Sequence, residues 1–151
     1  MNIDTILRHD FKNICYHEAA HLAALKYFGG DGFIRINPEP DTSDPINQSC
    51  FNGSVIVAED AATPWHRRIV GLAGAIGEMM LHDPEMTADD FIDAHAVGDS
   101  GLSPTDAEKA GEFTEIDVET TIRVLRDRWD TVEHYAHCEL SKGFEGAEHG
   151  E

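Results

Sequence analysis

Basic residues are scarce in this chain: 11 Lys and Arg stand against 29 Asp and Glu, a formal net charge of −18. A surface this acidic repels phosphate backbones and anionic lipid headgroups, which sets nucleic acid and membranes aside as partners. Cysteine is rarer still. Cys15, Cys50 and Cys138 occur singly and without CxxC spacing, so neither a disulfide framework nor a thiolate zinc knuckle is expected, and reduced thiols in the cytoplasm are. No basic segment followed by an apolar core opens the sequence. No run approaches the roughly 18 apolar residues of a membrane span. At 151 residues the chain is long enough for one domain with a real core, expected over residues 1–142, and residues 143–151 read as a disordered acidic tail.

Against this background one short segment stands out, His17-Glu18-Ala19-Ala20-His21. At about 100° per residue on a helix, His17 and His21 lie about 40° apart around the axis and one turn apart along it. Both imidazoles can therefore reach one ion. Glu18 lies about 100° from His17 and about 60° from His21, in the same sector, where a carboxylate can act as a base beside the metal without ligating it. Phe11, Ile14, Cys15, Leu22, Leu25 and Phe28 recur at helical spacing around the motif. Asp10 offers an N-cap and Gly29-Gly30 a stop, so a helix is expected over Asp10 to Phe28. Cys15 falls on another side of that helix from His17 and reads as small buried filler.

Residues 33–37 and 51–58 are the convincing strand candidates, and the turn-rich segment Pro38 to Cys50 between them reads as a long loop. A hairpin or small antiparallel sheet near the motif helix is the expected product, with an edge strand able to bind an extended peptide. Thr63-Pro64 starts a helix running to about Leu81. Within it Gly71, Gly74 and Gly77 recur every third residue, which costs about 1 kcal/mol each relative to alanine and calls for close packing on the motif helix. A short helix is expected after Thr87, another from Ser103-Pro104-Thr105-Asp106, and a single long one from about Glu115 to Leu140.

Catalytic zinc sites use three protein ligands and leave a position for water, so the motif calls for one further His, Asp or Glu. Glu78, Asp93, His95, Asp99 and Asp106 are candidates; His66 and His82 read as surface residues, and His149 belongs to the tail. Asp106 also suits the N3 position of a helix capped by Ser103, a role that needs no metal.

The order of motifs resembles the peptidase domain of the FtsH-type ATP-dependent zinc metalloproteases. In that family an HEAGH helix, a strand hairpin, a Gly/Ala-rich helix and a Ser-Asn-Asp-Leu-like helix start follow one another. Here Tyr16 to His21, Ala73-Gly74-Ala75-Ile76-Gly77-Glu78 and Ser103-Pro104-Thr105-Asp106 with Ala110 stand in those places. Ala20 and Ala75 replace the family's glycine and arginine. The resemblance implies a zincin-like fold, α+β and mostly helical, with zinc (Zn2+) held by His17, His21 and Asp106. It further implies a zinc metalloendopeptidase in which Glu18 is general base on zinc-bound water, acting on a protein or peptide substrate. Because ATPase and membrane segments are absent from these residues, flexible segments or peptides are the expected substrates. The competing expectation is a non-catalytic metal-binding domain that recognises a protein partner.

Overall fold

The computed structural model describes residues 3–37 and 51–149. Helix α1 (Ile3–Tyr27) leads into strands β1 (Asp31–Asn37) and β2 (Asn52–Glu59). Five helices follow: α2 (Pro64–His82), α3 (Ala88–Ala96), α4 (Pro104–Ala110), α5 (Glu115–Asp127) and α6 (Trp129–His149). The fold is thus α+β and mostly helical, with one two-stranded antiparallel sheet among the described residues. No helix among the described residues is long and apolar enough to cross a membrane.

Helix α1 is longer than its sequence signals indicate. Residues 3–9 contain neither Gly nor Pro, so nothing halts the helix at Asp10, which sits inside it rather than capping it. At the other end Gly29 takes φ 86°, a conformation that costs glycine nothing. The Gly30 amide closes back on the Leu25 carbonyl at 2.9 Å, and the chain turns into β1. In the sheet Phe33 pairs with Ile56 and Ile34 with Val55. The two-residue alternation sends Ile34 and Ile36 toward the core and leaves Phe33 exposed. The expected loop from Pro38 to Cys50 lies outside the described residues.

Helix α2 is capped by Thr63, whose hydroxyl accepts the His66 amide at 3.1 Å, with Pro64 in its first turn. Its buried face carries Ile69, Leu72, Ala73, Ile76 and Met80. The glycines of this helix do not share one role. Gly77 lies against Ala20 of α1, where an added Cβ would overlap the alanine methyl, whereas Gly71 lies against Lys109 and Ala110 of α4. Close packing on the motif helix therefore accounts for Gly74 and Gly77, and packing on α4 accounts for Gly71.

The long helix expected from Glu115 to Leu140 is two helices, broken at Arg128 (φ −113°, ψ 19°). Apolar spacing runs smoothly across the break through Leu125, Trp129 and Val132, which is why periodicity alone hides it. The break frees α6 to lie along α1, where Trp129 stacks on Tyr16 with ring centroids 6.0 Å apart. There the Tyr16 hydroxyl also lies 3.3 Å from His137 Nε2. Helix α6 continues to His149, past residue 142, where the sequence reading ends the domain.

Helix α5 opens with a reciprocal cap that the sequence reading passed over. The Thr114 hydroxyl accepts the Asp117 amide, and the Asp117 carboxylate accepts the Thr114 amide at 2.9 Å. Asp117 also accepts Trp65 Nε1–H at 2.8 Å and an Arg68 N–H at 3.3 Å, tying α5 to the first turn of α2. Burial alone would raise its pKa, but the Thr114 amide, Trp65 and Arg68 together hold it below the ordinary carboxylate range. A depressed folded-state pKa stabilises the fold above the unfolded value and loses that contribution as pH falls through the folded one. We expect Asp117→Asn to cost about 1.5–3 kcal/mol at pH 7, because an amide NH2 cannot accept from these donors. The gap between variant and wild type should begin to narrow below about pH 4, the unfolded aspartate range, and close only as pH falls through the lower folded-state pKa, in urea melts run as a pH series.

Candidate metal centre

His17, Glu18 and His21 lie in the middle of α1, and each is at least nine-tenths buried. A carboxylate joins the histidines from α4. Its N-cap Ser103 accepts the Asp106 amide at 3.1 Å, which fixes the first turn and turns the Asp106 side chain inward, 8% exposed. Asp106 Oδ2 lies 3.0 Å from His17 Nε2 and 3.2 Å from His21 Nε2. These three residues are the group among the described residues whose ligand atoms gather within 4.8 Å of one another. Asp106 is thus both helix cap partner and cluster member.

His21 Nδ1–H donates to the Val70 carbonyl of α2 at 2.6 Å. This bond sets the tautomer and leaves the Nε2 lone pair facing the cluster. His17 Nδ1 lies 3.5 Å from Glu78 Oε1, so Glu78 stands behind a histidine rather than among the ligand atoms. With its lone pair turned inward, His21 faces the Asp106 carboxylate acceptor against acceptor, an arrangement that needs a positive charge between them. On the His17 side a proton on that ring supplies the charge, while His21 and Asp106 still meet as two acceptors. Burial works against the charged form of His17, but Asp106 and Glu78 overcome this and push its pKa up to about 10. Asp106 responds in the opposite sense: burial would raise its pKa, while the hydrogen bond from His17, the foremost opposing cause, holds it far below the usual range. A divalent cation answers the same requirement with more charge.

Room for such an ion comes from α2. A Cβ built at Gly74 would lie well under 3.0 Å from Nε2 of both His17 and His21, so the glycine leaves open the space in which the two lone pairs converge. The His, His, Asp donor set and this open space fit a zinc ion with a fourth position for water. Glu18 stands at the edge of the cluster. Burial raises its pKa, and His21 and His17 moderate the rise. Gly53 of β2 lies opposite it, where a Cβ would come within 2.9 Å of the Glu18 carboxylate.

The other candidates lie elsewhere. Asp93, His95 and Asp99 are exposed around α3, and His95 Nδ1 lies 2.9 Å from the Ser100 hydroxyl. His82 is at the surface beside Asn13. His66 is not a surface residue: it is half-buried and stacks on Phe28 at 4.2 Å. Cys15 is fully buried, and burial foremost pushes its thiol up to about 12, consistent with inert filler. No protein-family model matches the chain, and no curated protein matches it.

We expect Asp106→Ala to lose zinc by metal analysis, whereas a carboxylate acting only at a helix N3 position would cost about 0.3–1 kcal/mol and leave zinc bound. Gly74→Ala should also lose zinc, although alanine favours a helix by about 1 kcal/mol. Wild-type zinc content in the Gly74 variant would show that the ion does not occupy that space.

Proposed function

We propose that this chain is a zinc-dependent metallopeptidase, akin to the peptidase domain of the FtsH-type proteases, that hydrolyses peptide bonds in flexible protein segments or peptides. The observation that carries the reading is the convergence of His17 Nε2, His21 Nε2 and Asp106 Oδ2 in front of Gly74, with Glu18 one residue along the same helix. A zinc ion held by these three residues would supply Lewis acidity to a peptide carbonyl and to the attacking water. Glu18 takes a proton from that water as its oxygen bonds to the carbonyl carbon, and returns it to the amide nitrogen as the C–N bond breaks. Val70 keeps His21 in the tautomer that offers Nε2, and Glu78 orients His17 from behind. A carboxylate so placed has no use in a site that only binds.

An extended substrate has a natural seat. Strand β2 pairs only with β1 among the described residues, so its other edge offers backbone donors and acceptors to a peptide of any sequence. Gly53 brings that strand against Glu18.

The test is Glu18→Gln in zinc-loaded protein, with unfolded casein as the probe. Zinc content should match wild type, because Glu18 is not a ligand, while cleavage should fall by about 100-fold or more. Equal cleavage by both proteins would remove Glu18 as the base. A zinc-loaded wild type that cuts nothing would make the chain a metal-binding domain that recognises a protein partner.

A further inference from the structure

A cavity of about 400 Å³ lies between the end of β2, the start of α2 and the end of α4. Its charge is opposite to that of the rest of the molecule. Arg67, Arg68 and Lys109 line it against the single carboxylate of Asp60, in a chain with 29 acidic and 11 basic residues. Arg68 is paired with Asp117 at 3.3 Å. Arg67 donates only to the Ala61 carbonyl, at 3.1 Å, and no carboxylate among the described residues pairs with Arg67 or Lys109. The remaining lining, Leu25, Val57 and Val70 among it, is apolar. With Arg68 paired and Asp60 offsetting one charge, Arg67 and Lys109 leave a net positive charge above an apolar floor, which suits a carboxylate carried on a short aliphatic stem.

The cavity adjoins the metal centre. Val70, which lines it, is the residue whose carbonyl holds His21, and Lys109 follows Asp106 by three residues on α4. Strand β2 joins the two places, with Gly53 against Glu18 and Val57 at the cavity wall. Four residues of extended chain cover about 13 Å.

We propose that this cavity is a specificity pocket that receives a substrate carboxylate about three to four residues from the scissile bond of a peptide lying along β2. The proposal rests on the metallopeptidase reading for its register, but not for its chemistry. A peptide antiparallel to β2 would place an acidic side chain on the N-terminal side of the cut. A parallel one would place an acidic side chain or the free C-terminal carboxylate on the other side.

The test uses zinc-loaded full chain and unstructured fluorogenic peptides in which Glu or Gln is scanned through six positions on each side of one bond, with free-acid and amidated C-termini. Binding of the same peptides to zinc-loaded Glu18→Gln is followed by fluorescence anisotropy. We expect Glu to be preferred over Gln by about tenfold or more at one position three or four residues from the cut, in both cleavage and binding. The preference should collapse in Arg67→Gln/Lys109→Gln. Dependence on the free acid alone would assign the carboxylate to the C-terminus. Cleavage with equal rates for Glu and Gln at every position, and for acid and amide, overturns the pocket and leaves the peptidase. Carboxylate-dependent binding without cleavage overturns the peptidase and leaves the pocket. Absence of both effects overturns both.

Discussion

Lone pairs from His21, His17 and Asp106 are forced toward one point inside a helical interface, and only a shared positive charge makes that convergence stable. Water is largely excluded there, so the attraction of a cation for these groups is weakly screened and their mutual repulsion in its absence is correspondingly severe. The neighbouring elements are shaped around this requirement. Helix α2 approaches α1 closely because Gly74 and Gly77 present no side chain, and the same closeness brings the Val70 carbonyl within 2.6 Å of His21. Helix α4 is only seven residues long, yet its capped first turn sets the Asp106 carboxylate against both histidines.

The charge of the molecule is distributed with equal economy. Most of its acidic residues are solvated, while several of its scarce basic residues lie at particular joints of the fold. Arg126 holds the turn between α2 and α3 through the carbonyls of Pro84 and Met86. Arg68 and Trp65 join the start of α2 to the cap of α5 through Asp117. Arg67 and Lys109 face the cavity beside the metal centre. Such placement matters more against a strongly negative background, because an uncompensated cation there is a local reversal of the field that an anionic group can detect.

Much of the site was legible in the residues themselves. The i, i+4 spacing of His17 and His21 brings them to one helix face in any helical context, and the Ser103-Pro104-Thr105-Asp106 run marks a helix start wherever it occurs. The glycine run of α2 signalled a close approach. The identity of the approaching partner was not legible: Gly74 clears the histidines, Gly77 clears Ala20 and Gly71 clears α4, although all three look alike in sequence. The role of Val70 was hidden for a simpler reason, since its contribution is a backbone carbonyl and its side chain carries no signal. The break at Arg128 was hidden because apolar spacing persists across it, and the early start of α1 because a good N-cap residue is also tolerated inside a helix.

Local chemistry and helical period were determined by the sequence alone: two imidazoles and a carboxylate on one face of α1, capped helix starts, a hairpin of alternating character and an acidic surface. These depend on neighbours within about one turn, where backbone geometry leaves few choices. Tertiary structure decided which distant groups meet. It chose Asp106 over Glu78, Asp93, His95 and Asp99 as the third member of the cluster, turned Glu78 to the rear of His17, and set Gly53 against Glu18. It also gathered Arg67, Arg68 and Lys109 into one cavity from two helices. Such meetings depend on how helices cross and how near they come, and the small residues that permit close packing do not name the surface they will touch.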